Sequence, residues 1–554
     1  MELSPSAHTD TFARDHLPPA AQWPTLEFTT ESLRYPGRLN AADELIDVPA
    51  ARWPGRPALR TPDGVTWTYA ELLARANQVA RVLTEDLGLR PGNRVLLRSP
   101  NNPWAVACWL GILKAGGIAV TTFAALRARE LSPVAAKARP VIALVDHRFT
   151  ADVAALRPAA APDLVIVPFG GAGEGDLSAR AAARAGVFGN VATAADDVAL
   201  LCPTSGSTGV PKITAHFHRD VLSIDNTFGR HVLGLTPQDV TACTAPLAFT
   251  FGLGLLVVFP LRAGACALLT EAVTPPQLAD IVAEHGVTVL ATAPTGYRQI
   301  IAAGQLGRLR GLRAAVSAGE HIPRQTWQRV YDGTGLKIID GIGATELLHI
   351  FIAAAGDDIR PGATGKPVPG YRATILDSGG HEVGPGIEGR LGVIGPVGCR
   401  YLDDDRQRGY VVNGWNVTGD TFVRDEDGYF YYQARTDNMI VSSGYNSGGP
   451  EVEAAIDEYP AVAESAVVAK PDADRGSIVC AFVVLRPGTA GDDALAKKIQ
   501  EHVKAALAPY KYPREIRFVE RLPRNSSGKL QHFALRRQLA EEERRTPARK
   551  GAAS

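Results

Sequence analysis

Nine consecutive residues of this sequence are suited to holding phosphate: Thr204-Ser205-Gly206-Ser207-Thr208-Gly209-Val210-Pro211-Lys212. They supply four hydroxyls, two glycines and one lysine, one residue after an apolar run at 198–202. Glycines let the backbone wrap closely around phosphate oxygens, and hydroxyls and N–H groups donate hydrogen bonds to them. The stretch is not a Walker A loop, where the lysine directly follows the second glycine. Here Val210 and Pro211 intervene. By itself, such a stretch also suits a Ser/Gly-rich surface turn. The six cysteines offer no competing chemistry: none forms a CxxC pair and no histidine cluster lies near one. Neither a disulfide framework nor a zinc site is expected, and the thiols read as small buried apolar groups.

The elements that must position this loop alternate between helix and strand. Thr68 and Glu71 form a capping box ahead of an apolar stripe at Leu72, Leu73, Ala76, Val79, Ala80 and Leu83. Gly88 is a plausible stop. Strands are expected at 95–97, 118–120, 141–145, 198–202, 287–292 and 336–340, and helices at 104–115 and from Arg129. This pace predicts an α/β fold, a large N-terminal domain of helix-covered sheets. After about residue 435 the pattern becomes that of a small, mobile α+β C-terminal domain, with helices at 451–456 and 494–507 and strands at 462–469, 479–485 and 516–519. The expected domains are 1–436 and 437–540, followed by a charged tail at 541–554 that reads as disordered.

The chain has 554 residues, 58 Lys+Arg and 58 Asp+Glu, hence no net charge. That balance argues against a nucleic-acid binder driven by bulk charge. Hydrophobic residues at 45% and charged residues at 21% suit a globular protein rather than a disordered one. The N-terminus, 1–16, has no apolar core and is not a secretory signal. The most apolar runs, 104–113 and 251–261, fall short of the ~20 residues of a membrane span. The expectation is a soluble, cytoplasmic protein with no membrane or nucleic-acid partner, and the reading allows a homodimer.

Six motifs in order resemble those of the AMP-forming acyl- and aryl-CoA synthetase superfamily of adenylating enzymes. Residues 204–212 resemble its phosphate loop, Ser317-Ala318-Gly319-Glu320 its adenine-lining segment, and Gly343-Ala344-Thr345-Glu346 its G-x-T-E. Thr418-Gly419-Asp420 resembles its T-G-D, Arg435-Thr436-Asp437 with Ser443-Gly444 its hinge, and Pro523-Arg524-Asn525-Ser526-Ser527-Gly528-Lys529 its catalytic-lysine loop. The resemblance implies that a carboxylate joins the α-phosphate of ATP, pyrophosphate leaves, and coenzyme A takes the acyl group. Two anions must meet, so cations and Mg2+ must offset their charge. By resemblance, Glu346 is the Mg2+ ligand, Thr345 donates to the α-phosphate, and Asp420 and Arg435 hold the ribose. Lys529 spans phosphate and carboxylate, Asp437 is the hinge of a domain rotation, and Gly444 lines the path of the pantetheine arm.

Two departures narrow the resemblance. Ile342, in Asp340-Gly341-Ile342-Gly343, stands where the family usually stacks an aromatic on adenine, which leaves Asp340 to meet the adenine edge. Ile213 follows the loop lysine where glycine is common. Both departures, with Ala215-His216-Phe217-His218-Arg219-Asp220 and Glu346-Leu347-Leu348-His349-Ile350-Phe351, are similar to the benzoate-CoA and 2-aminobenzoate-CoA ligases. Pro246-Leu247-Ala248-Phe249-Thr250-Phe251-Gly252-Leu253-Gly254 matches the segment that shapes the acid pocket. Phe249, Thr250, Phe251 and Gly252 suit a small flat ring, with Ile342, Ala318 and His349 as further walls. Phe249 and Phe251 could instead be core residues of an apolar strand, and His349 could as well be a hydrogen-bonded core histidine. The leading expectation is an ATP-dependent aryl-CoA ligase acting on benzoate, salicylate or 2-aminobenzoate. The alternatives are an aryl-acid adenylating enzyme that loads a separate carrier protein, since only about 25 residues follow Lys529, and a catalytically silent nucleotide-binding protein.

Overall fold

The computed structural model describes residues 3–157, 160–204, 211–435, 439–442, 445–472, 476–507, 511–524 and 530–545. The chain divides into two compact units, and two stretches within 383–424 belong to the second.

The first unit is built on two large sheets. One has six strands, in the order Val165–Phe169, Ile142–Asp146, Arg94–Arg98, Ile118–Thr122, β1 (Val198–Thr204) and β2 (Lys212–Phe217). All neighbours are parallel except β1 and β2, which pair antiparallel with Thr204 opposite Lys212. The central strands are buried along their whole length, as near-continuous apolar runs in a helix-covered parallel sheet must be. Side chains on β2 alternate: Ile213, Ala215 and Phe217 enter the apolar core. Lys212, Thr214 and His216 therefore face the other way. Residues 400–402 extend the sheet beyond β2, with Ala215 N donating to Arg400 O at 2.8 Å and Leu402 N to Ile213 O at 2.8 Å. α1 (His218–Ile224) follows β2 directly, and Asp220 Oδ2 accepts from Phe217 N at 3.0 Å.

The nine-stranded sheet carries the remaining elements of interest. α2 (Thr250–Leu253) opens the apolar run, which continues through a π turn, Gly254–Val258, into Phe259–Ala263. The segment expected to be a strand in one reading of Phe249 and Phe251 is thus the start of a helix. The sheet runs on through β3 (Ala314–Ala318), β4 (Ile338–Gly343) and β5 (Ile350–Ala353). β3 and β4 are parallel, with Ser317 beside Asp340 and Ala318 beside Gly341; β5 returns antiparallel. The capping box at Thr68 and Glu71 is present on the helix Tyr69–Arg81. All six cysteines are buried and free. Among the described residues, no helix is long and apolar enough to cross a membrane.

The second unit contains a three-stranded sheet of Val462–Asp472, Gly476–Leu485 and Glu515–Phe518. Strand alternation loads both faces. Val467, Val479, Ala481 and Val483 pack with Val452, Ile456, Ile499 and Val503 on one face. Val468, Cys480 and Phe482 pack with Leu535 and Leu539 on the other. Helices Gly449–Asp457, Asp493–Ala506 and His532–Arg545 supply those partners.

Candidate active site

The loop at 205–210 lies outside the described residues, but its ends do not. Thr204 closes β1 opposite Lys212, which opens β2, so the hydroxyl- and glycine-rich stretch is the connection of an antiparallel pair. Lys212 is not a solvated loop charge. Its Nζ donates to the Tyr401 hydroxyl at 2.6 Å and lies 3.5 Å from Glu346 Oε1. The Tyr401 hydroxyl in turn donates to Glu346 Oε1. Tyr401 is fully buried, and burial next to the Glu346 carboxylate pushes its phenol well above the usual range. It therefore remains a donor at neutral pH. Its backbone is pinned as well, since Tyr401 N donates to Gln407 Oε1 at 2.9 Å.

Glu346 is buried, not an ordinary surface carboxylate. Oε1 takes both the phenol and the lysine; Oε2 makes no hydrogen bond to a described residue. Among the described residues, no group of three or more His, Cys, Asp or Glu side chains could cage a metal ion. One hard carboxylate oxygen without a protein cage fits Mg2+, which usually keeps waters and phosphate oxygens as its other ligands. Thr345 and Glu346 start a single helical turn that ends at Leu348 in a left-handed conformation, φ 66° and ψ −26°. Gly343, just before it, passes so close to His349 that a Cβ would lie 2.7 Å from the His349 carbonyl oxygen.

The adenine-lining expectations converge on one edge of the nine-stranded sheet. Ala318 and Gly341 are register partners, which sets Ala318, Gly319 and Glu320 beside Asp340, Gly341, Ile342 and Gly343. Glu320 Oε2 accepts from Thr295 Oγ1 at 2.9 Å. Asp340 is buried and lines a small cavity with Ile322, Trp327, Ile338, Ala354 and Arg360. Burial pushes its carboxyl well above the usual range.

The acid-pocket expectations converge nearby in the chain. The loop before α2 is held by Asn101, whose Oδ1 accepts from Leu247 N at 2.7 Å and whose Nδ2 donates to Ala245 O at 3.2 Å. Phe249 packs on Phe123 with ring centroids 5.0 Å apart. Thr250 is partly exposed and its hydroxyl makes no hydrogen bond to a described residue. Gly252 is demanded by its own turn, since a Cβ would stand 2.1 Å from the Pro246 carbonyl oxygen. His349 lies among Phe228, Phe251 and Phe259, at centroid distances of 5.1, 5.9 and 4.7 Å. No well-formed hydrogen bond reaches either ring nitrogen among the described residues, although the Phe251 main chain acts on the imidazole as a weak polar partner. Burial brings its imidazole down to about 3, so the ring is neutral at pH 7.

The second unit holds the other expected residues. Asp420 is buried on the strand Trp415–Arg424. Arg435 ends the strand Phe430–Arg435. Asp437, Gly444 and Lys529 lie outside the described residues. The stretch at 525–529 is bracketed by an antiparallel bridge between Arg524 and Leu530, and Gln531 N donates to Pro523 O at 2.9 Å.

Sequence reasoning missed Tyr401, Asn101 and Phe123. Tyr401 lies 189 residues from Lys212 and 55 from Glu346. No spacing could link them; only the pairing of 400–402 with β2 does.

Comparison with known proteins bears on this geometry. Residues 46–400 match the AMP-binding enzyme family and residues 451–529 match the AMP-binding enzyme C-terminal domain. The benzoate-CoA ligase of Thauera aromatica is 35% identical over 522 residues, covering 92% of this chain and 98% of that protein. The crystal structure of the anthranilate CoA ligase AuaEII with anthranoyl-AMP superposes with a TM-score of 0.87 at 32% identity, covering 93% of this chain and all of that one. That of a benzoate CoA ligase from Burkholderia xenovorans LB400 gives a TM-score of 0.82 at 30% identity, covering 90% and 100%.

Proposed function

The chain belongs to the AMP-binding enzyme family, and from that membership we propose that it is an ATP-dependent aryl-CoA ligase for small benzoate-type acids. It is an acid–thiol ligase whose co-substrates are ATP and coenzyme A, with Mg2+ as its metal. Mg2+ supplies charge neutralisation at the phosphates, and Glu346 is the residue that would hold it. Lys212 and Thr345, with Thr204, Ser205, Gly206, Ser207, Thr208 and Gly209, bind and orient the phosphates. Ala318, Gly319, Glu320 and the 340–343 segment receive the adenine; Asp420 and Arg435 hold the ribose. Lys529 stabilises the charge that develops as the carboxylate attacks the α-phosphate. The C-terminal domain then turns about Asp437, and Gly444 makes room for the pantetheine arm.

The observation that supports the aryl reading is the set of rings along and beside the 249–251 segment. Phe249 on Phe123, Phe251 and a neutral His349 offer flat aromatic surfaces without a charge, which suits a benzoate ring and no long aliphatic chain. Within that class we propose a preference for ortho-hydroxy or ortho-amino benzoates. Thr250 Oγ1 caps no helix N–H, and the His349 nitrogens have no partner among the described residues beyond a weak contact with the Phe251 main chain. Burying such groups against a ring costs about 1–3 kcal/mol each unless a substrate group pairs with them.

The test is pyrophosphate release over a panel of substituted benzoates, with and without coenzyme A. Aryl-CoA formation with salicylate or 2-aminobenzoate in excess of benzoate is expected. Pyrophosphate exchange with an aryl acid but no thioester from free coenzyme A would favour the carrier-loading alternative. No aryl-acid response at all would remove the ligase reading.

A further inference from the structure

No step above uses His216, yet it is fully buried against the turn that carries Thr345 and Glu346. Its Nε2 lies 2.8 Å from the Thr345 carbonyl oxygen. A carbonyl only accepts, so Nε2 carries the proton and donates. The side chain shares its face of β2 with Lys212, because four residues along a strand return to the same face. One strand therefore reaches the turn twice, through His216 to the main chain of Thr345 and through Lys212 to the carboxylate of Glu346.

The imidazole is backed by a buried ion pair. His216 Nδ1 lies 3.8 Å from Asp220 Oδ2, and the same oxygen accepts from Arg400 Nη1 at 2.8 Å. All three side chains are fully buried. Arg400 also lies over the Phe217 ring at 4.0 Å, which fixes its plane. Burial alone would raise the Asp220 carboxyl, but Arg400 and His216 hold it down at about 2. Arg400 is followed directly by Tyr401, the donor to Glu346. The turn needs such support, since buried Leu348 ends it with positive φ, a conformation unfavourable for a residue with a Cβ.

We propose that His216, held by the buried Asp220–Arg400 pair, is a positioning residue that fixes the Thr345–Glu346 turn for the phosphate end of a magnesium-bound nucleoside triphosphate. The proposal rests on the reading of that turn as the nucleotide's phosphate end. His216 touches neither substrate nor metal; it acts through the Thr345 carbonyl.

Calorimetric titration of the full chain with ATP in the presence of Mg2+, without aryl acid, tests it. His216→Met fills the space but donates nothing. His216→Gln places an amide N–H near the position of Nε2. A Kd raised about tenfold in His216→Met and restored to within about threefold of wild type in His216→Gln is expected, at similar melting temperatures. A glutamine variant as weak as the methionine variant, or a methionine variant equal to wild type, would overturn the proposal. Should His216→Met not fold, His216→Asn replaces it, since an amide one methylene shorter falls short of the carbonyl. Asparagine and glutamine variants that bind alike then overturn the proposal, and a weaker asparagine variant supports it. A wild-type chain that binds magnesium-ATP but turns over no aryl acid removes the ligase reading and leaves this comparison intact. A wild-type chain that binds no magnesium-ATP removes both.

Discussion

Two stretches of the first unit, separated by only two residues at Glu346 and His349, are built on opposite principles. Around Glu346 the contacts are charged and polar: Lys212 and Tyr401 grip one carboxylate oxygen, His216 grips the main chain of the turn, and Asp220 with Arg400 backs His216. Around His349 the neighbours are the rings of Phe228, Phe251 and Phe259, and its nitrogens have no side-chain partner among the described residues. Ionic hydrogen bonds at low dielectric define a position sharply but tolerate little change. Aromatic packing sets a shape and leaves recognition to whatever enters. The phosphate end should therefore govern rate, and the acid end choice of substrate and stability.

The comparison assumes that both ends serve one adenylation step, and the largest effect tests that assumption. Lys529→Ala should slow aryl-AMP formation by about 10²–10³, the scale of one lost charge-stabilising group. The same variant should convert synthetic aryl-AMP and coenzyme A to thioester at a near-normal rate. Equal loss in the two half-reactions would break the link between the lysine and the phosphate end.

Tyr401→Phe removes one hydroxyl from the gripped carboxylate. Hydrogen bonds to charged groups contribute about 1.5–3 kcal/mol, so kcat for pyrophosphate exchange should fall about 10–100-fold. The ratio of rates among benzoates should not move. A changed ratio would mean that the two ends are not separable.

Gly254→Ala probes the other principle. An added Cβ would stand 2.5 Å from His349 Nε2, with Phe259 at 2.8 Å. Overpacking of this kind costs about 1–3 kcal/mol, to be read as a lowered melting temperature together with altered benzoate selectivity. A variant with wild-type stability and selectivity would show that His349 is not tightly seated.

The neutral His349 also leaves a pH signature. Burial holds its imidazole at about 3 in the folded chain, whereas an unfolded histidine titrates near 6.5. The unfolded state binds the extra proton between these values. Stability is thus fully present above about pH 6.5 and is lost as pH falls toward 3. Each such histidine contributes about 1.4 kcal/mol per pH unit within that window. His349→Phe should flatten the loss of stability between pH 6.5 and 5.5 by about 1 kcal/mol, measured by denaturant titration. His218, held at about 3 by burial, and His321, held at about 4, should keep their share of the remaining slope.

The smallest effect concerns selection. Thr250→Ala should bring an ortho-hydroxy or ortho-amino preference of about tenfold toward unity, a change of about 1.4 kcal/mol, while benzoate turnover is spared. An alanine variant that keeps the full preference would move the selector elsewhere, with His349 the next candidate.

What the amino-acid sequence determined by itself is whatever is local or period-bound. The capping box at Thr68 and Glu71, the apolar runs of the central strands and the alternation in the C-terminal sheet follow from neighbour interactions and side-chain period, and all were legible. At Thr204–Lys212 the sequence shows a hydroxyl- and glycine-rich connection between two strands, and its suitability for phosphate remains part of the proposed function. The helical start at Thr250 was less legible, because a short apolar run bounded by glycines suits strand and helix alike. Only the tertiary structure decided what grips Glu346. Tyr401 and Asp220–Arg400 arrive there because 400–402 pairs with β2, a contact across about 190 residues that no periodicity encodes. It likewise decided that His349 is a buried ring among three phenylalanines, since burial and partner choice are properties of the packed chain, not of a histidine in a sequence.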